Sequence, residues 1–315
     1  MSTGAFILMM ALSMSQVLAA EAPKKLRVAY ITILDCLQLY VAQERGFFKN
    51  EGLDLELRSA PSGNIIQTQL EAGEMDIGWS SAMPVGLAHS KGFDFQFIAP
   101  GAFDLKGHKY HKIFVKSESS YKSLKDVRGA RFTVNGIGTI SHLGVLAMAD
   151  SFKLDPSRLK IIELPFPQME PALREGQVDV AAIVEPFATI TLINGVGRVI
   201  YEGYYPVEAG DLMVAGWISK KAWIEKNSDL ARRFMRGIEK ATDFINQKPQ
   251  ELPDIISRNA KISLDLAKKV TLPAFTTELK KSDIQVTLNM MVKYGFLKSP
   301  LDAKEVVSNL LSMKE

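Results

Sequence analysis

The sequence is nearly without cysteine. Cys36 is the single one in 315 residues, which excludes an internal disulfide and any multi-cysteine zinc or iron–sulfur site. Histidine is scarce too: His89, His108, His111 and His142 are the only four, and no HExxH motif contains any of them, so no zinc-hydrolase signature is present. An excess of one charge is also lacking, with 38 Lys and Arg against 35 Asp and Glu, a net of +3. Over this length that excess supplies neither a nucleic-acid footprint nor a polybasic membrane patch. No run of 18 apolar residues occurs, so no segment reads as a membrane span. GxSxG and comparable nucleophile motifs are missing as well, and catalysis has no legible centre. What is there is ordinary for a folded chain, 47% apolar and 23% charged, and long enough for two domains.

The N-terminus reads as an address. Residues 5–12 form the apolar run AFILMMAL, and Val17-Leu18-Ala19 offers small residues where a signal peptidase cuts. The pattern predicts a signal peptide over residues 1–20, although no Lys or Arg precedes the apolar run. Cys36 lies beyond the mature start between Asp35 and Leu37, so no lipid anchor is expected and the mature chain is expected to be exported and soluble.

From Leu26 the chain alternates strand-like and helix-like segments. Strands are predicted at 26–31, 53–57 and 75–79, with helices at 37–49, 64–72 and from Pro84. The same grammar returns with strands at 130–135, 159–164 and 178–184, and helices at 140–152, 168–175 and from Pro186. Leu70, Gly73 and Asp76 match Leu173, Gly176 and Asp179 at one constant offset, a helix ending in Gly followed by a strand carrying Asp. Two such α/β units predict two lobes with parallel, doubly wound sheets. Strands are also expected at 112–116, 198–201 and 212–219, and the C-terminal third reads as helices at 230–246, 251–259, 264–270 and 282–294. The first lobe would take residues 21–116 and 210–315, the second 117–209, with crossings near 116–120 and 201–210.

Five phrases then converge in order and spacing: GFFKNEGLDLEL (46–57), LEAGEMDIGW (70–79), SLKDVRGARFTV (123–134), LREGQVDVAAIVEPF (173–187) and ISKKAWIEKN (218–227). They resemble the extracytoplasmic solute-binding proteins of ABC importers for nitrate, sulfonates, taurine and thiamine-precursor pyrimidines, over residues 26–296. The resemblance implies an α/β, two-lobed periplasmic-binding-protein-like fold (type II), with two doubly wound sheets joined by a two-segment hinge. It implies a monomer in the periplasm that captures a small organic solute, such as a sulfonate or a taurine-like zwitterion. It also implies an ABC permease with its ATPase as partner, no cofactor, no metal, no nucleic acid and no catalytic residue. Pyrimidine or aromatic-carboxylate binding is the alternative. Another is a pyrimidine-synthesising enzyme of the same fold, which would be intracellular and need a lysine for pyridoxal phosphate.

In open sheets ligands lie beyond the C-terminal strand ends, where helix N-termini present N–H groups. Four connections qualify: 33–38, 79–84, 136–142 and 184–187. They nominate Leu34, Asp35, Gln38, Ser80, Ser81, Gly138, Thr139, Ser141, His142 and Glu185, with Trp217 and Phe103 as aromatic walls. Most have a structural alternative. Ser80, Ser81, Thr139 and Ser141 could cap helices, His142 could pack, Glu185 could hold backbone N–H groups in its turn, and the aromatics could be core. The motif over 136–141 is GxGxxS, short of a dinucleotide fingerprint. These loops contain Asp35 and Glu185 but no Lys or Arg, which favours a zwitterion or heterocycle over bare nitrate.

Overall fold

A computed structural model of the protein describes residues 22–205 and 210–315. The predicted signal peptide lies outside the described residues. In chain order, the first part runs β1 (Lys24–Tyr30), α1 (Leu37–Glu44), α2 (Phe47–Asn50), β2 (Leu53–Ser59), α3 (Gly63–Glu71), β3 (Ile77–Ser80), α4 (Ala82–His89) and β4 (Phe95–Asp104). The middle runs β5 (Lys112–Lys116), β6 (Arg131–Val134), α5 (Ile140–Ser151), β7 (Lys160–Glu163), α6 (Phe166–Arg174), β8 (Val180–Ile183), α7 (Phe187–Ile193) and β9 (Gly197–Glu202). The return brings β10 (Leu212–Lys220), α8 (Lys221–Lys226), α9 (Ser228–Gln247), α10 (Leu252–Ala260), α11 (Leu264–Ala267), β11 (Ala274–Phe275) and α12 (Lys281–Lys293).

Two sheets result, in the orders β11-β4-β10-β3-β1-β2 and β7-β6-β8-β5-β9. In each, three strands of the repeated unit pair in parallel, β2-β1-β3 and β7-β6-β8. An antiparallel strand then adds beside the third, β10 on β3 and β5 on β8. The sheets are therefore mixed, which corrects the all-parallel expectation, while the two-lobed α/β architecture stands. A second correction concerns β5. It pairs with β8 and β9, so it belongs to the second lobe and the chain crosses over residues 105–111, before β5, instead of near 116–120. The return crossing spans 203–211, of which 206–209 lie outside the described residues. The two crossings touch: the His111 ring stacks on Tyr204 at 3.7 Å between centroids, and Gly203 donates its N–H to the His111 carbonyl at 2.8 Å.

The internal repeat has a physical basis. Arg27 opens its strand with its own N–H and its guanidinium on Asp76, and reaches the Gly73 carbonyl at 2.8 Å. Arg131 does the same with Asp179 and reaches the Gly176 carbonyl at 2.7 Å. In both lobes the clamp ties the turn after the second helix to the start of the first strand, with bidentate geometry that only an Arg–carboxylate pair provides. In the first lobe α9 lays Phe234, Gly237, Ile238, Ala241 and Ile245 on the core, a helical stripe. Phe234 stacks on Phe48 at 5.1 Å.

Strand β4 was not predicted, because Pro100-Gly101 interrupts it. The strand is nonetheless almost wholly buried, and shifts in its register with β10 between Met213 and Gly216 accommodate the proline. Gly101 is required there: a Cβ would lie 2.3 Å from the Trp79 ring. Among the described residues no helix is long and apolar enough to cross a membrane.

Candidate functional site

The strand ends of both lobes converge on one small cavity. From the first lobe it is lined by Ile31, Ile33, Asp35, Gly63, Trp79, Ser80, Ser81, Pro84, Val214 and Ala215. From the second come Asn135, Thr139, Ile140, Ser141 and Phe166, and the return crossing adds Tyr204. The cavity is small, about 30 Å³, room for one or two waters, so the lobes are closed over it.

Its polar atoms are unusually short of partners. Asp35, Ser80 and Ser141 are at most 2% exposed, yet Asp35 Oδ1, Ser80 Oγ and Ser141 Oγ make no hydrogen bond of proper geometry. Buried polar groups are almost always paired, and three unpaired ones around a single cavity mark it as a place where something else supplies the partners. Burial, with the nearby charges of Asp35 and Asp104, pushes the Tyr204 hydroxyl pKa well above its usual value, and its proximity to Tyr110 and Ser141 offsets only a little of that. Its geometry toward Ser141 nonetheless falls short of a hydrogen bond, and the geometry decides. Asp35 Oδ2 accepts from the Tyr110 hydroxyl at 2.7 Å. Burial pushes the Asp35 carboxyl up to about 7, against the pull of that bond, and the nearby charges of Asp104 and Glu185 add to the rise.

Two helix N-termini also face the cavity. Ser81 is the N-cap of α4 and Thr139 the N-cap of α5, both in extended conformation, and neither side chain caps its helix. First-turn N–H groups have no intrahelical acceptor, and together with the helix dipole they favour an electron-rich group. The cavity thus has a carboxylate on one wall and two helix N-termini on others, a polarised site.

The chain matches the family described as NMT1/THI5 like over residues 34–252, a span that takes in nearly every cavity residue. The chain belongs to that family. It is 23% identical over 239 residues to the taurine-binding periplasmic protein of Escherichia coli (strain K12), covering 75% of this chain and 72% of that one. Among solved structures it is similar to the alkanesulfonate-binding protein SsuA from Xanthomonas axonopodis pv. citri bound to MOPS. The TM-score is 0.78 at 17% identity, over 92% of this chain and 99% of that one. The periplasmic nitrate-binding protein NrtA from Synechocystis PCC 6803 gives 0.72 at 16% identity, over 90% and 85%. At such identities the likeness establishes the fold, that of the periplasmic binding proteins.

Within this NMT1/THI5-like fold the predicted residues divide. Asp35, Ser80, Ser81, Thr139 and Ser141 line the cavity. The other seven do not. Gln38 is spent in the core, donating to Thr242 Oγ1 at 2.7 Å and accepting from Trp217 Nε1 at 3.3 Å. Trp217 packs edge-on against Trp79 and Phe234, and it is Trp79, its register partner on β3, that faces the cavity. Phe103 is likewise core. Glu185 holds its own turn, accepting from the Thr189 N–H and hydroxyl, both at 3.0 Å, and from the Thr271 N–H at 3.2 Å. Leu34 donates its N–H to the Glu185 carbonyl at 3.0 Å, a contact between the lobes. Gly138, at φ +76°, shapes the loop and donates its N–H to His142 Nδ1 at 3.1 Å. His142 in turn packs edge-on against Phe296, and burial holds its pKa below the usual value.

Asn135, Phe166 and Tyr204 were missed. Asn135 directly follows β6 and the strand-end rule reaches it. Phe166 opens α6 after the second strand of its unit, a connection left out of the four. Tyr204 comes from a crossing segment, where no sequence pattern points to a site.

Proposed function

We propose that this protein is the extracytoplasmic solute-binding component of an ABC importer. It captures a small dipolar organic solute between its lobes and delivers it to the membrane permease and its ATPase. The observation that carries the reading is the closed interlobe cavity whose unpaired polar atoms come from both sides, Asp35 and Ser80 facing Ser141. A taurine-like zwitterion suits its polar groups once the lobes part to admit it, since the cavity as it stands holds only a water or two: the anionic end meets the N-termini of α4 and α5, and the ammonium end meets Asp35. Family membership and the likeness to proteins named for taurine, alkanesulfonate and nitrate support the class. A flat amino-heterocycle is the second reading, favoured by Trp79, Phe166 and Tyr204 around the cavity. A pyridoxal-phosphate enzyme is disfavoured, because among the described residues the lining offers no lysine and no histidine.

Thermal melts with taurine, alkanesulfonates, aminopyrimidines, aromatic carboxylates and nitrate test the reading. A solute that binds only the native state raises the melting temperature by mass action, and small-angle scattering should show the lobes held together. Flat melts across the panel with unchanged scattering would remove it. Export is checked by intact mass of the protein from a native host, which should lack the first 19 or 20 residues.

A further inference from the structure

The hinge region holds three buried carboxylates and two lysines. Lys109 Nζ lies 3.3 Å from Asp104, and Lys112 Nζ lies 3.7 Å from Glu185. Asp104 also accepts from the Tyr204 N–H at 3.0 Å, and Glu185 holds Thr189 and Thr271 as described. Both lysines are thereby taken up by the other two carboxylates, although Asp104 Oδ1, away from the cavity lining, also lacks a hydrogen-bond partner. Asp35 has no cation among the described residues, and its single partner is a neutral phenol. The groups around it are Tyr110, Tyr204, Tyr40 and Cys36, with Asp104 and Glu185 as the nearby like charges. His111 stacks behind Tyr204 and burial drives its pKa down to about 3, so it brings no positive charge. Leaving a buried carboxylate oxygen unpaired is costly. Asp35 is one of the cavity-lining residues, so a solute held there can supply the missing partner.

Resting on the solute-binding reading above, we infer that Asp35 is the selectivity element of the cleft. Its free Oδ1 takes the N–H-bearing nitrogen of the solute, an ammonium or an exocyclic amino group, and the site rejects anions that carry no such donor. Anion and heterocycle chemistry share this requirement, so matched pairs isolate it. Taurine and ethanesulfonate differ by the amino group alone, as do 4-aminopyrimidine and pyrimidine. Since a carboxylate binds a donor best when ionised, and burial raises the Asp35 pKa to about 7, binding should also follow its titration. Affinity for the amino member should weaken severalfold per pH unit below 7 and level off above.

Calorimetric titration of the exported chain at pH 8 decides the matter. The amino member of at least one pair should bind ten times more tightly or better, and Asp35→Asn should bring that pair within threefold. Tyr110→Phe provides a second route if the first variant folds poorly: it removes the bond that favours the ionised form, so the pH profile should move upward while the preference at high pH remains. Equal affinity within both pairs, or an undiminished preference in Asp35→Asn, would overturn the role of Asp35 and leave the solute-binding cleft standing. Failure of all four compounds while nitrate or an aromatic carboxylate binds would overturn this inference alone; failure of the whole panel, with no change in scattering, would remove the solute-binding reading and this inference with it.

Discussion

Buried groups at the cavity and hinge pull the pH dependence of stability in opposite directions. Asp35 is held near 7 against an ordinary 3.8. Between those values the unfolded chain has released a proton that the folded chain retains, so its contribution is complete below 3.8 and is lost as pH rises through 7. Its scale is at most about 4 kcal/mol. His111 is held near 3 against 6.5, so its contribution is complete above 6.5 and is lost as pH falls toward 3. The windows overlap, and the native protein should show a flatter profile than either group alone. In urea melts between pH 4 and 8, the stability of Asp35→Asn relative to the native chain should grow with pH and level off near 7. A constant difference would mean that Asp35 titrates normally. Ser141 allows a cleaner separation of binding from stability. Its Oγ has no partner in the unliganded fold, so Ser141→Ala should leave the unliganded melting temperature unchanged. Affinity should fall about two- to tenfold, the value of one neutral hydrogen bond. A loss of stability with affinity intact would instead identify a capping hydroxyl.

At the scale of elements, the duplicated Arg–Asp clamp makes a symmetric prediction. Arg27→Ala and Arg131→Ala should each lower the urea midpoint only modestly, because both guanidinium groups are more than a third exposed and screened by solvent. The clamps share no partner, so the double variant should be additive; a larger loss would show that the lobes unfold as one coupled unit. Leu70, Gly73 and Asp76 exposed the repeat in the sequence because a helix end and a strand start are set by local chemistry. Sheet membership is not local. The pattern KIFVK reads as a strand wherever it pairs, which is why β5 was placed in the wrong lobe. Strand β4 was illegible for the opposite reason: Pro100 and Gly101 erase the local signal while pairing with β10 and the Trp79 ring maintain the strand. The same limit governs the site. Helix starts after strands led to Ser80, Ser81, Thr139 and Ser141. Trp79 and Trp217 sit opposite one another in register, and nothing local tells which of them turns to the cavity.

At the scale of the whole molecule, closure is held by contacts around the cleft as well as by the hinge. Asn64 Nδ2 donates to the Ile137 carbonyl at 2.7 Å, and His142 packs on Phe296. An ion pair also spans the seam: Asp150 on α5 takes both Lys293 and the Tyr294 hydroxyl from the end of α12. Lys293 pairing holds the Asp150 carboxyl below its usual range, but both side chains are well exposed, so the latch is a weak one. An exposed pair contributes about 0.2–1 kcal/mol, and its loss changes the closed fraction by no more than about fivefold. Apparent affinity scales with the fraction of molecules in the binding-competent state. Asp150→Ala should therefore raise the radius of gyration of the unliganded protein and weaken solute binding about two- to fivefold. No residue lining the cavity is altered by that substitution. Salt supplies the control: at 1 M the Debye length is about 3 Å, and the native protein should lose most of its advantage over the variant. An affinity loss that persists at high salt would assign Asp150 a packing role in α5. Unchanged affinity and scattering would place closure in the Asn64 and His142 contacts and in the hinge stack of His111 on Tyr204.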